Sequence, residues 1–335
     1  MFDFSIIIRT YNPEIRIIKR CLQAVQKLDL TGINCEVIII ENNNTIAWKD
    51  HEDIVGIISG ISNLKIILEP KPGSSNAGIA GVKISNAPWL VFFDQDNESY
   101  PDYLVNLSSV VAKYPNVGIW GPGQVYVDFI DETTDWIDKN CRATFQEKKF
   151  DRMEFALQEE WNRCYPPGSG ICVRKEVFVK YIELYRLHNF QTIARAGNSL
   201  MGAEDNQVIY TAILMGFAVG VCPELKLNHL IPAEKSNYTY VKKLRFFTRY
   251  SVPLAEVEFH PQVLKKYENK QTSQFSLFIL LNKYLIKGVL SRKVKESIID
   301  CLLVCGNYTG INLVLKKKNP GWLKLFLRMN GVEIK

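Results

Sequence analysis

The first half of the chain alternates short apolar runs with segments of helical periodicity. The apolar runs have the length of strands and cover residues 4–10, 36–43, 64–70, 89–96 and 117–123. Helical patterns separate them. Strands that are apolar throughout and alternate with helices indicate a mainly parallel sheet covered on both faces. The sequence therefore predicts an α/β fold.

Polar side chains end three of these strands, at Arg9–Asn12, Glu41–Asn44 and Asp94–Asp96. We also expect Asn12 to be the N-cap of a first helix that begins at Pro13. The carboxyl ends of parallel strands share one edge of a sheet, and ligands bind beyond that edge. The pattern therefore predicts one site built from three strand ends.

The middle of the chain continues the α/β pattern less regularly. The sequence predicts a helix over 202–217 that opens on Glu204 and Asp205, followed by a strand that ends at His229. Residues 124–165 contain many aromatic and charged side chains and have no clear period. Their structure is left open.

Composition narrows the class of protein without identifying it. With 335 residues, 47% of them hydrophobic and 23% charged, the chain is long and apolar enough for a folded core. The net charge of +6 does not demand a nucleic-acid partner, and we expect none. The eight cysteines are scattered without zinc-site spacing, which indicates reduced, buried thiols.

The last third of the chain, residues 238–335, has a helical and basic pattern. One interpretation of it is a solvated helical face. The other is docking to anionic lipid headgroups that carry a lipid-linked acceptor, with residues 322–329 as an interfacial helix. The apolar stretch 275–290 contains Asn282 and two lysines and is too short to span a bilayer. No signal peptide is predicted, so we expect a cytoplasmic protein that contacts at most the inner face of the membrane.

The clearest chemical motif is Asp94-Gln95-Asp96, directly after a buried strand. Mg²⁺ and Mn²⁺ prefer oxygen ligands, and a few carboxylates often share such a cation with substrate phosphates. An isolated motif of this kind is more typical of a solvated loop, but its position directly after a buried strand favours a metal site. Asp205 is open to two interpretations, helix capping or general base, and His229 to structural packing or metal binding. Glu98 is expected to be solvated.

Taken together and in this order, several segments resemble the family 2 glycosyltransferases, which have the GT-A fold. The resemblance covers about residues 4–235. It is carried by the segments FSIIIRTYNP, EVIIIENNNT, SNAGIAGVKISNA, LVFFDQDNE, GSGICVRKEVF, GAEDNQVIYTAILMGFAVGV and LKLNHLIPAEK.

The resemblance implies a role for individual residues. Asp205 would be the general base with Glu204 near the acceptor, and Asp96 and His229 would bind Mn²⁺ or Mg²⁺. Glu41 stands where the family usually has aspartate, so its contact with the base departs from the pattern. The residues implied in binding the nucleotide sugar are Thr10, Asn12, Glu41, Asn43, Asn76, Gly78, Asp94 and Gln95.

The resemblance also implies a domain division and a reaction. A GT-A catalytic domain over 1–237 would have a nucleotide-sugar half (1–123) and an acceptor half (124–237), with a helical, basic region over 238–335. The Gln-x-x-Arg-Trp motif of processive synthases is not evident. The implied reaction is therefore inverting transfer of one sugar, with UDP as the default nucleotide and dTDP-rhamnose as the alternative, to a saccharide or lipid-linked acceptor.

Two other functions are weighed against this one. A sugar nucleotidyltransferase should carry a glycine-rich loop after the first strand, but RTYNPEIR contains no glycine. A non-catalytic carbohydrate-binding protein on the same fold would have no need of both the Asp-x-Asp and the Glu-Asp elements. Both are present here.

Overall fold

A computed structural model describes residues 1–188 and 200–334. Its described residues form two compact units. The first comprises 1–188 and 204–233, and the second comprises 200–203 and 234–334. The predicted catalytic domain of 1–237 thus ends a few residues beyond the first unit. As a functional division it stays a prediction.

One sheet runs through the first unit in the order β3-β2-β1-β4-β9-β6-β10-β5, with β7 paired to β6 and β8 to β10. The strands are β1 (Phe4–Thr10), β2 (Cys35–Asn42), β3 (Leu64–Glu69), β4 (Trp89–Asp94), β5 (Asn97–Ser99), β6 (Val117–Phe129), β7 (Lys148–Lys149), β8 (Glu154–Ala156), β9 (Ile171–Arg174) and β10 (Ala218–Ile231).

The α/β class is confirmed, but the sheet is mixed instead of mainly parallel. Strands β3, β2, β1 and β4 are mutually parallel, as the apolar runs predicted, and β6 and β10 are parallel as well. Strand β9 runs antiparallel to both of its neighbours, β4 and β6. Between β6 and β9, the aperiodic segment contributes the short strands β7 and β8, and its lack of a period gave no indication of the direction of β9.

Helices flank this sheet. They are α1 (Ile15–Gln26), α2 (Glu52–Ser59), α3 (Ser74–Ile84), α4 (Tyr103–Lys113), α5 (Asp135–Cys141), α6 (Lys175–His188) and α7 (Glu204–Leu214), with 3₁₀ turns at Trp48–Asp50 and Arg142–Phe145. The prediction that Asn12 caps α1 is wrong, because the N-cap is Glu14. Asn12 has a φ of 41°, and its side chain accepts a hydrogen bond from the Thr45 N–H. The side chain therefore binds the loop after β2 and does not cap α1.

The parallel register aligns the polar strand ends. In β1, Thr10 lies opposite Glu41 of β2, and Arg9 lies opposite Asp94 of β4. Behind them, Ile8 and its neighbours in β2 and β4 belong to one buried apolar cluster with α1. A shift by one residue would exchange the faces of every side chain in a strand, so this core fixes which polar groups reach the edge.

The second unit is helical, as predicted for the C-terminal region. Its helices are α8 (Tyr238–Phe259), α9 (Val263–Lys270), α10 (Gln274–Leu290), α11 (Val294–Val314) and α12 (Gly321–Met329). Helices α8 and α11 approach closely at Gly306 and Gly310. A Cβ atom at either glycine would clash with a backbone oxygen of α8.

Among the described residues, α11 alone is long and apolar enough to cross a membrane by length and composition. It has 21 residues, and the mean hydropathy of its most apolar window is 1.3. However, 56% of that window is buried, and residues such as Cys301, Leu302 and Cys305 belong to the core of the second unit. A core helix passes the same test.

Candidate active site

Arg9 joins two carboxylates at the edge of the sheet. Its Nη2 donates to Asp94 Oδ1 at 2.8 Å and its Nη1 donates to Glu204 Oε2 at 3.2 Å. The side chains of Arg9 and Glu204 are only 12% and 10% exposed, so their ion pair lies largely out of water. Arg9 therefore ties the end of β4 to the start of α7.

Opposing influences set the ionisation of this cluster. Burial raises the pKa of Glu204, and Arg9 only partly offsets that rise. Burial works against the charge of Arg9, but Asp94, Glu204 and Asp205 together raise its pKa above the ordinary value. Ser74 Oγ donates to Glu204 Oε2 at 3.2 Å, whereas Oε1 is buried and has no partner within the described part of the chain. One guanidinium thus offsets several carboxylates.

A glycine loop holds Asp205. The backbone N–H of Gly168 donates to Asp205 Oδ2 at 2.9 Å. A Cβ atom at Gly168 would clash with this carboxylate, so the close approach requires glycine. Asp205 lies in the first turn of α7, where the helix dipole favours a negative charge. Gly168, Arg9, Glu204 and Asp205 line one small cavity.

Pairing between β5 and β10 brings the Asp-x-Asp turn to His229. The two strands are antiparallel, with Asn97 opposite His229, and the Leu230 N–H donates to the Asp96 carbonyl oxygen at 2.9 Å. As a result, Asp96 Oδ1 and His229 Nε2 are 3.7 Å apart, and both side chains are largely buried. The two predicted metal ligands therefore lie next to each other.

The donor set around Asp96 fits a divalent cation shared with a substrate. His229 Nδ1 lies 2.8 Å from the Phe145 carbonyl oxygen, which assigns the proton to Nδ1 and turns the Nε2 lone pair toward Asp96. Metal-bound histidines usually donate their other N–H in this way. No group of three or more His, Cys, Asp or Glu side chains that could hold a metal occurs within 1–188 and 200–334. The fit is thus to two protein ligands completed by phosphate or water oxygens.

The polar atoms of Thr10 and Asn12 form hydrogen bonds with other residues of the protein. Thr10 Oγ1 donates to the Ile40 carbonyl at 3.0 Å and accepts from Asn44 Nδ2 at 2.8 Å. The Asn12 N–H donates to Asn44 Oδ1 at 2.5 Å, and the Thr45 N–H donates to Asn12 Oδ1 at 2.7 Å. These bonds lock the loops after β1 and β2 together. Contact of Thr10 and Asn12 with a nucleoside stays a prediction.

The remaining predicted strand-end residues lie at the same edge. Glu41 Oε2 accepts from Lys49 Nζ at 3.0 Å, and the neighbouring Asn43 is exposed with a φ of 56°. Gln95 Oε1 accepts from the Tyr11 N–H at 2.8 Å. Gln95 thus connects the loop after β4 to the loop after β1.

Helix α3 approaches the cluster with small and polar residues. Asn76 Nδ2 donates to the Pro72 carbonyl at 2.8 Å, and Ser74 reaches Glu204. A Cβ atom at Gly78 would lie 3.3 Å from Glu204 Oε1. Gly78 therefore lies against Glu204, whereas the resemblance implied that it binds the nucleotide sugar. That nucleotide contact stays a prediction.

Glu98 is not solvated as expected. It forms a two-pronged ion pair with Arg20, with nitrogen–oxygen distances of 2.9 and 2.6 Å, and accepts from Asn228 Nδ2 at 2.7 Å. Burial would raise the pKa of Glu98, but Arg20 and Asn228 lower it overall. Glu98 turns away from the Asp96 side of the turn and anchors α1 to the sheet.

The sequence placed Arg9 at a polar strand end of the predicted site without giving it an individual role, and it gave none to Ser74 or Gly168. The signal at Arg9 was one basic residue near the end of a mainly apolar strand. Ser74 and Gly168 have ordinary loop and helix-start signatures. Their importance comes from contacts with Glu204 and Asp205, which lie far away along the chain.

An α/β sheet with an acidic turn and a helix-borne carboxylate at one edge is the architecture that the resemblance to GT-A glycosyltransferases implied. The family model described as "Glycosyl transferase family 2" matches residues 5–181. Since the match covers more than half of the chain, the protein belongs to glycosyl transferase family 2.

Two known proteins show how far the similarity extends. An uncharacterized glycosyltransferase of Nostoc sp. is 27% identical over 180 residues, which are 52% of this chain and 52% of that protein. The chain thus corresponds to about half the length of this curated relative. The crystal structure of S. aureus TarS 1–349 is similar with a TM-score of 0.47 and 13% identity, over 95% of this chain and 93% of that one.

Proposed function

We propose that this chain is an inverting glycosyltransferase. It transfers one sugar from a nucleoside diphosphate sugar to a hydroxyl of a saccharide or lipid-linked acceptor, in the synthesis of cell-surface polysaccharide or glycan. Membership of the family supports the type of reaction. The observation that carries the proposal is the carboxylate of Asp205, held by the Gly168 N–H at the start of α7 beside the Arg9–Glu204 pair.

In this proposal Asp205 is the general base. It accepts the proton of the acceptor hydroxyl while the hydroxyl oxygen forms its bond to the anomeric carbon. The bond between that carbon and the diphosphate oxygen breaks, and its electron pair leaves with the nucleoside diphosphate. Because attack and departure occur on opposite faces, the anomeric configuration inverts and no covalent intermediate forms. Glu204 lies on the acceptor side of this base.

The leaving group requires positive charge, since a nucleoside diphosphate departs with added negative charge. Asp96 and His229 would hold Mn²⁺ or Mg²⁺, which when bound neutralises diphosphate charge. Asp94, paired with Arg9, faces the nucleotide or the sugar. Arg9 also keeps Asp94 and Glu204 from adding uncompensated negative charge at the same place.

UDP is the proposed nucleotide and dTDP-rhamnose the alternative donor. Thermal unfolding with a panel of nucleoside diphosphates, with and without Mn²⁺, tests the donor class directly. A ligand at about one hundred times its Kd stabilises the native state by about 2.7 kcal/mol. We expect one diphosphate to raise the midpoint, and to do so more strongly with Mn²⁺. If no nucleoside diphosphate shifts the midpoint, the proposed donor class is wrong.

A carbohydrate-binding protein without catalysis would respond to the same panel of ligands. Turnover distinguishes the two functions. The proposed enzyme releases nucleoside diphosphate from its donor in the presence of metal, and the Asp205→Asn variant does not. Binding without release in the wild-type protein would favour the non-catalytic function.

A further inference from the structure

Helix α10 presents an apolar face that the described chain leaves largely exposed. Its buried side packs into the second unit through Leu277, Leu281 and Gly288. The exposed apolar residues of its outer side lie three, four or seven positions apart, which places them in one stripe along the helix. The exposed apolar residues of this stripe are Phe275, Phe278, Ile279, Ile286, Val289 and Leu290, of which Leu290 is 80% exposed.

Helix α12 extends this stripe at one position. The ring of Phe278 packs edge-on against Trp322, with 5.4 Å between their centroids. Leu325 and Met329 of α12 are exposed as well. We call the exposed apolar residues of α10 and α12 the α10 face.

The charged residues of α10 and α12 themselves are all basic. Lys283 and Lys287 are exposed on α10, and Lys324 and Arg328 are exposed on α12. Neither helix contains an acidic residue. Long basic side chains beside apolar residues can keep their charges in the headgroup layer while their stems lie along an apolar surface.

Further basic residues lie at both ends of α10. After its last turn come the exposed Arg292 and Lys293, and Lys316–Lys318 are exposed just after α11. Lys317 donates to Gln271, only three residues before α10 begins. The apolar stripe is therefore bracketed by positive charge at both ends.

We propose that the α10 face docks on an anionic membrane surface. Apolar side chains enter the interface, and the lysines and arginines contact lipid phosphates. A second copy of the chain is the poorer occupant, because pairing the face with itself would place like charges opposite one another. The inference goes beyond the proposed reaction, since docking requires neither donor nor acceptor.

Most of the exposed apolar residues of the second unit's α10 face lie on α10, and fewer lie on α12. Sequence reasoning expected residues 322–329 to be the interfacial helix, but Leu323 and Leu327 of α12 are fully buried in the core of the second unit. Deleting the chain after residue 315 would remove those core residues. Point variants on the exposed face are therefore the better probe.

The test is co-flotation of the full chain with vesicles of phosphatidylglycerol and phosphatidylcholine, compared with phosphatidylcholine alone. The variant Ile286→Glu/Leu290→Glu should lower the bound fraction on anionic vesicles by about tenfold, because charge in the interface opposes insertion. Leu187→Glu is the matched control: this leucine of the first unit is 77% exposed and should leave binding unchanged. Lys283→Glu/Lys287→Glu should weaken binding to anionic vesicles and reduce its salt dependence.

Three results would overturn the proposal. The first is no binding of the wild-type chain to anionic vesicles. The second is binding that the α10 variants leave intact. The third is a lipid-free dimer, seen by light scattering, that Ile286→Glu/Leu290→Glu abolishes, since the face would then join two copies. Circular dichroism of that variant should match the wild type, and thermal shifts with nucleoside diphosphates test the transferase proposal separately.

Discussion

Replacing Arg9 by methionine tests the charge balance of the site most sharply. The substitution keeps an unbranched apolar stem and removes the guanidinium between Asp94 and Glu204. Removing one partner of a buried ion pair typically costs about 3–5 kcal/mol, because a charge is left without compensation. The loss at Glu204 stays below the upper end of this range, because Glu204 can take up a proton instead of remaining charged.

Protonation of Glu204 sets an upper limit on the stability that is lost there when Arg9 is removed. Holding a carboxyl of ordinary pKa near 4.3 in its neutral form costs about 3.7 kcal/mol at pH 7 and about 1.6 kcal/mol at about pH 5.5. Burial already raises the pKa of Glu204, and losing Arg9 raises it further. When the pKa of a carboxyl is raised in the folded state, the protein becomes less stable as pH rises above the pKa of that carboxyl in the unfolded chain. We therefore expect Arg9→Met to cost about 3 kcal/mol at pH 7 and roughly half as much at about pH 5.5.

Urea unfolding followed by tryptophan fluorescence measures this difference. Every tryptophan except Trp322 lies in the first unit, so the signal reports mainly on that unit. Arg16→Met is the matched control, because Arg16 is 49% exposed and solvent screens its ion pairs, so its loss should change the free energy of unfolding little. The double variant Arg9→Met/Glu204→Gln should recover much of the loss. If Arg9→Met lowers the free energy of unfolding by less than about 1 kcal/mol, or equally at both pH values, Arg9 does not compensate a buried Glu204 carboxylate.

Three further changes probe the site and the second unit. Gly168→Ala should displace Asp205 and lower kcat by about a hundredfold with little change in KM. Steady-state kinetics measures both constants, and an unchanged kcat would contradict the proposed role of Gly168. His229→Gln should raise the Mn²⁺ concentration for half-maximal activity by about tenfold or more, whereas an unchanged metal titration would exclude His229 as a ligand. Gly306→Ala should destabilise the second unit by about 2 kcal/mol through its clash with α8, measured by thermal unfolding against Gly321→Ala, where a Cβ meets open space.

The sequence predicted best those parts of the fold that depend on local pattern. The runs that became β1, β2 and β4 have apolar centres that are buried, and burial on both sheet faces leaves such runs few alternatives. Their common parallel register then brought Thr10 next to Glu41 and Arg9 next to Asp94. Polar strand ends therefore indicated the location of the site.

Long-range contacts account for what the sequence did not predict. Arg9 lies 85 residues from Asp94 and 195 residues from Glu204 along the chain, so its two ion pairs left no local trace. Asn12 had the local signature of a helix cap, yet the bond from Thr45 competes for its side chain. The antiparallel direction of β9 was not predicted, because residues 124–165 before it have no period that indicates how the chain runs.

The apolar face of α10 shows a related limit. Its sequence contains enough leucine, isoleucine and phenylalanine for burial on all sides, and only packing decides which of them stay exposed. The buried side is Leu277, Leu281 and Gly288. The same composition could have belonged to a helix that packs into the core mainly through its apolar residues, such as α11.

Donor turnover is the direct test of Asp205 as the general base of a glycosyltransferase. The wild-type chain and Asp205→Asn are incubated with UDP-sugars and dTDP-rhamnose, with Mn²⁺ or with a chelator, and the released nucleoside diphosphate is quantified. We expect metal-dependent release from one donor class by the wild type and a loss of about a thousandfold or more in Asp205→Asn. Equal release by both proteins would contradict the assignment of Asp205 as the general base of a glycosyltransferase.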